Sequence, residues 1–187
     1  MRTLAITQNI TLDGSIEMLG DWFDPQGQGD QGDLIEELLR QHSAADALLV
    51  GKDTFKAFRD YWRDLAGDTT GVSAYLNGVA KYVVSSTLVE PEWRDTTVLS
   101  GDLVTEMTAL KEQNGLDIVC TGSIRLTHAL IAAGLVDEYR LFVYPAVQGR
   151  GKRLFPDGFK LDRLDLLEAR SFTSGISLLR FAAQSLA

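Results

Sequence analysis

Cysteine is almost missing from this chain, and that excludes a good deal. Cys120 is the single cysteine in 187 residues, so no intrachain disulfide can form and no thiolate metal cluster can be built. Histidine is nearly as scarce: His42 and His128 lie far apart, each on a predicted helix, without metal-ligand spacing. No stretch approaches a run of about 18 apolar residues, and the start, MRTLAITQNITLDG, has no basic segment leading into a long apolar core. Asn9-Ile10-Thr11 fits a glycosylation pattern that, without a secretion signal, has no meaning. Positive charge is in deficit as well, with 18 Lys and Arg against 26 Asp and Glu and a net charge of −8. Nucleic acid or an anionic membrane needs a basic footprint, so neither is expected as a partner. A small phosphorylated ligand needs only a few local cations and helix N-termini. The expectation is a cytoplasmic protein whose partner is a small molecule.

What is present fits a single globular domain over residues 1–187, 45% hydrophobic and long enough to bury a core without cross-links. Residues 3–11 alternate as a strand, and Leu12-Asp13-Gly14 is a turn signal. Residues 20–32, rich in Gly, Asp and Gln, read as a long loop of the kind that is usually functional. Asp33 is placed to cap a helix carrying Leu34, Ile35, Leu38 and Leu39. A buried strand over 47–50 runs into Gly51-Lys52-Asp53-Thr54 and a helix with Phe55 and Phe58. A second loop with a short helix follows over 67–77, then strands over 81–85 and 96–99. Asp102 starts a helix with Leu103, Met107 and Leu110. Residues 118–120 form a strand that breaks at Thr121-Gly122-Ser123 into a helix bearing Leu126, Ala129, Leu130 and Ala133, stopped by Gly134. A strand over 139–147 comes next, and 164–172 with 176–182 make a hairpin. Strands alternating with helices and closing in an antiparallel hairpin predict an α/β layered fold with a mixed sheet.

Familiar catalytic motifs are absent. Gly51-Lys52 is no P-loop, because Asp46 and Asp53 stand where that pattern needs Gly and Ser or Thr. Gly149-Arg150-Gly151 lacks the third glycine of a dinucleotide fingerprint, and no Gly-x-Ser-x-Gly elbow exists. Three strand ends remain. At the first, Gly51 allows close approach, Lys52 brings a cation and Thr54 a hydroxyl; the bland alternative is a turn with Asp53 or Thr54 as N-cap. At the second, Thr121-Gly122-Ser123 opens a helix, where a capping serine is an equally adequate account. The third, Ser85-Ser86-Thr87, reads as a turn unless a phosphate sits there. Ligands in α/β sheets bind at carboxyl ends of strands, and three such ends in one domain favour a site.

These segments carry a resemblance. ADALLVGKDTF and KYVVSSTL are similar to successive motifs of the dihydrofolate reductase superfamily. TGSIRLTHALIAAGLVDEYRLFVYPAVQGRGKRLF resembles that family's glycine-serine helix, its Val-Asp-Glu step and its Pro-x-x-x-Gly-x-Gly-x-x-Leu-Phe tail. TLDGSIE matches the Ser-Leu-Asp-Gly element. With Val-Asp-Glu it points to the subgroup like the C-terminal reductase domain of bifunctional riboflavin-biosynthesis enzymes.

The resemblance implies a dihydrofolate reductase-like three-layer fold, a homodimer and an NADPH-dependent oxidoreductase. The nearest reaction is reduction of 5-amino-6-(5-phosphoribosylamino)uracil. It further implies that Gly51, Lys52 and Thr54 hold cofactor phosphates and that Ser85 and Ser86 lie near the 2′-phosphate. Thr121, Gly122, Ser123 and Ile124 would wrap the pyrophosphate and nicotinamide. Asp13 and Gly14 would border nicotinamide and substrate, with Asp13 as the candidate catalytic group and Trp22 and Tyr144 as further substrate contacts. No metal is implied, and no proton donor is named. Three positions depart from the family: Thr121 replaces a glycine, Ser86 an arginine, and Lys52 an arginine whose planar fork it lacks. They leave NADH open beside NADPH. Two other readings stand: a non-catalytic nucleotide-binding or dimer-forming protein on this fold and, ranked lower, a dihydrofolate reductase. Asp33, Glu36 and Glu37 occupy the helix that carries the acid in folate reductases, but the pattern puts Glu36 and Glu37 on a solvated face.

Overall fold

The computed structural model of the chain describes residues 1–24 and 32–183; most of the loop expected over 20–32 therefore lies outside the described residues. Among the described residues one eight-stranded sheet forms the middle layer, in the order β4-β3-β2-β5-β1-β6-β8-β7. The elements run β1 (Leu4–Thr11), α1 (Gly32–Ser43), β2 (Ala45–Gly51), α2 (Lys52–Trp62), α3 (Val72–Gly78), β3 (Ala80–Val84) and β4 (Thr96–Leu99). They continue through α4 (Leu103–Glu112), β5 (Asp117–Thr121), α5 (Ile124–Ala132), β6 (Glu138–Tyr144), β7 (Leu164–Ser171) and β8 (Ser177–Ala183). The six strands from β4 to β6 are parallel, and β8 and β7 add an antiparallel hairpin beside β6. No helix among the described residues is long and apolar enough to cross a membrane.

The central strands read ADALLVG and DIVCT because both of their faces are covered by helices. On one face Leu4, Ile6, Leu49, Ile118 and Cys120 pack with Met107 of α4 and Leu130 of α5. On the other, Leu48 and Val50 meet Phe55 and Trp62 of α2 and Leu76 of α3, while α1 covers Phe142 and Leu178 through Leu34. The alternation is the two-residue period of a strand. Helix signals act where the sequence placed two of them. The Asp102 carboxylate accepts from the Thr105 N–H at 3.0 Å and caps α4. At the end of α5, Gly134 takes φ +65, and the Leu135 and Gly134 N–H groups donate to the Leu130 and Ile131 carbonyls, closing the helix as a Schellman turn.

Three expectations need correction. Strand β6 stops at Tyr144 and not at 147, since Pro145 has no N–H to continue the ladder. Asp33 is not the cap of α1 but lies in its first turn, and its carboxylate reaches across to the N–H and hydroxyl of Thr173 at the β7–β8 turn. Glu37 is not solvated: it is 1% exposed. It accepts from Arg40, Gln41 and Arg170, because α1 lies over a patch of sheet that is itself charged. Beneath it Arg140 donates to Glu138 and Asp117, and Arg180 donates to Glu138 and Glu168.

Burial alone would raise the Glu37 and Glu138 carboxyls, but their guanidinium neighbours outweigh it and hold both below the ordinary 4.5. A depressed carboxylate stabilises the fold above its unfolded pKa and ceases to do so as pH falls through the folded one. Thermal stability is therefore expected to drop as pH falls below 4.5, and Glu37→Gln is expected to flatten that acid limb. Arg140→Met leaves the half-buried Asp117 carboxylate without its partner and the buried Glu138 with Arg180 alone, and is expected to cost up to about 3 kcal/mol in urea denaturation. Glu138→Gln with Arg140→Met should cost less than the two single changes together.

Candidate functional site

Strands β2 and β5 pair in parallel, Leu48 beside Val119 and Leu49 beside Cys120, so their carboxyl ends emerge side by side. Each turns straight into a helix. The Gly51 N–H donates to Ser123 Oγ at 2.9 Å, and Thr54 Oγ1 donates to the Gly122 carbonyl at 3.2 Å, so the two turns are clasped together. Gly51 is the N-cap of α2, which corrects the expectation of Asp53 or Thr54 there; Asp53 lies in the first turn. Ser123 is the N-cap of α5, but its hydroxyl serves Gly51 and caps nothing in its own helix. Neither helix start has a side-chain cap, and two sets of first-turn N–H groups and two dipole ends therefore stand next to each other. Gly122 takes φ +67, and a Cβ there would lie 3.1 Å from Thr54 Cγ2. Only glycine fits that turn without strain. Peptide bonds among the described residues, Thr121–Gly122 included, are trans.

A cavity of about 470 Å³ opens from this point and runs between α1 on one side and α2 and α3 on the other. Of the residues expected to bind cofactor, Thr54, Thr121, Gly122 and Ile124 line it. Gly51 and Ser123 form the clasp behind that wall. Lys52 lies at the start of α2, where its ammonium donates to Thr87 Oγ1 at 2.7 Å. Ser85 accepts from the Thr87 and Leu88 N–H groups, which makes the end of β3 a turn, with Ser86 exposed on it.

The residues expected to meet substrate divide. Tyr144 is on the cavity wall, with Phe23 beside it at 5.9 Å between ring centroids. Trp22 stands behind, edge-on to Tyr144 at 5.2 Å, and its indole N–H donates to Gln148 Oε1. Asp13 and Gly14 do not line the cavity. Asp13 accepts from the Thr11 hydroxyl and from the Gln148 and Gly149 N–H groups, which hold its carboxyl down at about 2. A carboxylate so held is ionised at neutral pH and cannot donate a proton. It braces the turn after β1 against the segment after β6, and Gly14, at φ +86, completes that turn.

Sequence reasoning missed the deep part of the wall. His42 of α1 stacks on Tyr75 of α3 at 3.9 Å with the rings 2° apart. Burial pushes the imidazole down to about 4 despite the pull of Asp68, and pushes the Tyr75 phenol up. Burial also carries the Tyr144 phenol up to about 12, with Asp24 adding to it. Thr7 and Asn9 of β1 line the cavity as well. One signal was available: Thr7-Gln8-Asn9 is a polar run within a strand that is otherwise apolar. Gln148 was also missed, and its side-chain amide holds Ser15, the Glu17 carbonyl and Trp22 together.

The model of the RibD C-terminal domain family matches residues 2–178 of the chain. The uncharacterized protein YyaP of Bacillus subtilis (strain 168) is 31% identical over 182 residues, 94% of this chain and 92% of its own length. Among solved structures, a protein of Shewanella sp. PV-4 provisionally assigned to riboflavin biosynthesis superposes with a TM-score of 0.71 at 16% identity, covering 97% of this chain and 99% of that one. A pyrimidine reductase-like protein of Corynebacterium diphtheriae gives a TM-score of 0.68 at 17% identity, covering 98% and 92%. At those identities the likeness is one of fold, and it agrees with the mixed sheet and terminal hairpin seen here. The family match over nearly the whole length, with a relative of 31% identity, carries the assignment: the chain belongs to the RibD C-terminal domain family.

Proposed function

We propose that the chain is an NADPH-dependent reductase that reduces a small heterocyclic or imine- or carbonyl-bearing substrate, acting as a homodimer. The observation that carries this reading is the pair of uncapped helix N-termini, clasped side by side where two parallel strands end and a cavity begins. Such a junction favours a pyrophosphate. The residues present fit the dinucleotide: Gly122 gives the backbone close approach, and Thr54 and Thr121 place hydroxyls on the wall. Lys52, with the Ser85 and Thr87 hydroxyls near it, supplies the one cation at this edge of the sheet among the residues expected to bind cofactor. When bound, NADPH supplies a hydride to an electrophilic C=N or C=O carbon while the adjacent nitrogen or oxygen takes a proton.

The chain's own part is to position and to exclude water. The aromatic edge made by Trp22, Phe23 and Tyr144, fixed through Gln148, shields the mouth. Asp13 keeps that edge in place and acts as a positioning residue. His42, Tyr75 and Tyr144 are neutral at neutral pH, so the imidazole brings no proton of its own, and water is taken as the proton source. The dimer reading is supported by β7, an edge strand that exposes Leu166 and Leu167.

Titration with NADPH and NADH, followed by quenching of the three tryptophans, tests the reading. Saturable NADPH binding is expected, and Lys52→Ala should weaken it by about 1–3 kcal/mol. Unchanged affinity would put the phosphates elsewhere, and binding of neither nucleotide would leave the non-catalytic scaffold. Sedimentation should give a dimer that Leu166→Glu with Leu167→Glu converts to monomer.

A further inference from the structure

The deep half of the cavity carries a chemical restriction. Its walls are Leu34, Ile35 and His42 from α1, Trp62 from α2, and Tyr75 and Leu76 from α3, apolar surface with neutral polar groups among it. Among the described residues no lysine or arginine lines it. The charged side chains on the wall are acidic, Glu17 and Asp24, and Glu17 is bound by Lys152 at 3.2 Å. Of the guanidiniums around α1 and β6, Arg40 and Arg170 are paired with Glu37 and Arg140 with Glu138 and Asp117, and none of these lines the cavity.

We propose that this half of the cavity takes an uncharged, unphosphorylated, flat aromatic substrate, and not the phosphoribosyl compound that the family resemblance implies. The inference rests on the reductase reading for the word substrate, while the binding preference itself does not depend on it. A phosphate dianion is recognised by Arg, Lys or convergent N–H groups, and taking it from water into walls of apolar and neutral polar side chains without a cation is strongly unfavourable. His42 does not supply that cation, because burial leaves its imidazole neutral. The same walls suit an aromatic ring, to which Trp62 and the stacked His42 and Tyr75 would offer faces and edges. The anion-favouring helix starts of the site are those of α2 and α5, where the dinucleotide phosphates are assigned.

Calorimetric titration with 1-naphthol and 1-naphthyl phosphate, which differ only in the phosphate, tests the proposal. Inorganic pyrophosphate is present throughout to occupy the helix N-termini. Naphthol is expected to bind at least about tenfold more tightly than its phosphate ester, a difference of about 1.4 kcal/mol or more. Ile35→Arg, which puts a cation on the wall from a residue outside the packed core clusters, is expected to shrink or reverse that preference. Equal or tighter binding of the phosphate ester by the unaltered protein would overturn the proposal, as would failure of both to bind. NADPH titration of the same preparation reads the reductase assignment separately. NADPH binding with the ester preferred sinks only the substrate class, and naphthol preference without NADPH binding sinks only the reductase reading.

Discussion

Strand β5 enters the sheet between β1 and β2 and bonds to both, and the cleft is built on that insertion. The chain leaves β2 on one excursion through α2, α3, β3 and β4, then returns to lay β5 against β2's inner edge. Two strand ends that are 70 residues apart in the sequence are thereby set one strand spacing apart, close enough for Gly51 N–H to reach Ser123 Oγ. That bond diverts the serine from capping α5, while glycine at the start of α2 has no side chain to cap with. Both helix starts keep their N–H groups open as a direct result.

Charge and apolarity are sorted on a single helix. Glu37 and Arg40 of α1 reach the ion network over β6 and β8, whereas Leu34, Ile35 and Leu38 turn toward the cavity; Gln41 bonds Glu37 and lines the cavity as well. The sheet below mirrors the division: Glu138 and Arg140 lie at the start of β6, Phe142 and Tyr144 at its end. Successive odd or even positions of one strand share a face, so one strand presents ions at its foundation and rings at its site. The network fixes α1 over the sheet, and among the described residues no Lys or Arg lines the cavity wall.

The strand–turn–helix junctions were legible because they rest on local chemistry. Gly51 and Gly122 announce close backbone approach, Asp102 a cap and Gly134 a stop, and each acts where the sequence places it. What was not legible depends on partners distant along the chain. Glu37 sits in a pattern that reads as a solvated helix face, and its burial follows from Arg170, 133 residues on. Asp33 meets Thr173 for the same reason. Asp13 carried the signature of a turn and of a family motif at once, and the bond to Gly149 shows which role its geometry serves. The His42–Tyr75 stack joins two helices that have no sequence signal in common.

The central claim is that the two clasped helix starts receive the dinucleotide phosphates. An amide chemical-shift map recorded on adding NADPH tests it most directly, because it reports on the N–H groups themselves. The account predicts the largest shifts at residues 51–54 and 121–125, with those of β7 and β8 unmoved. Shifts concentrated away from both helix starts, or none at all at saturating nucleotide, would contradict it.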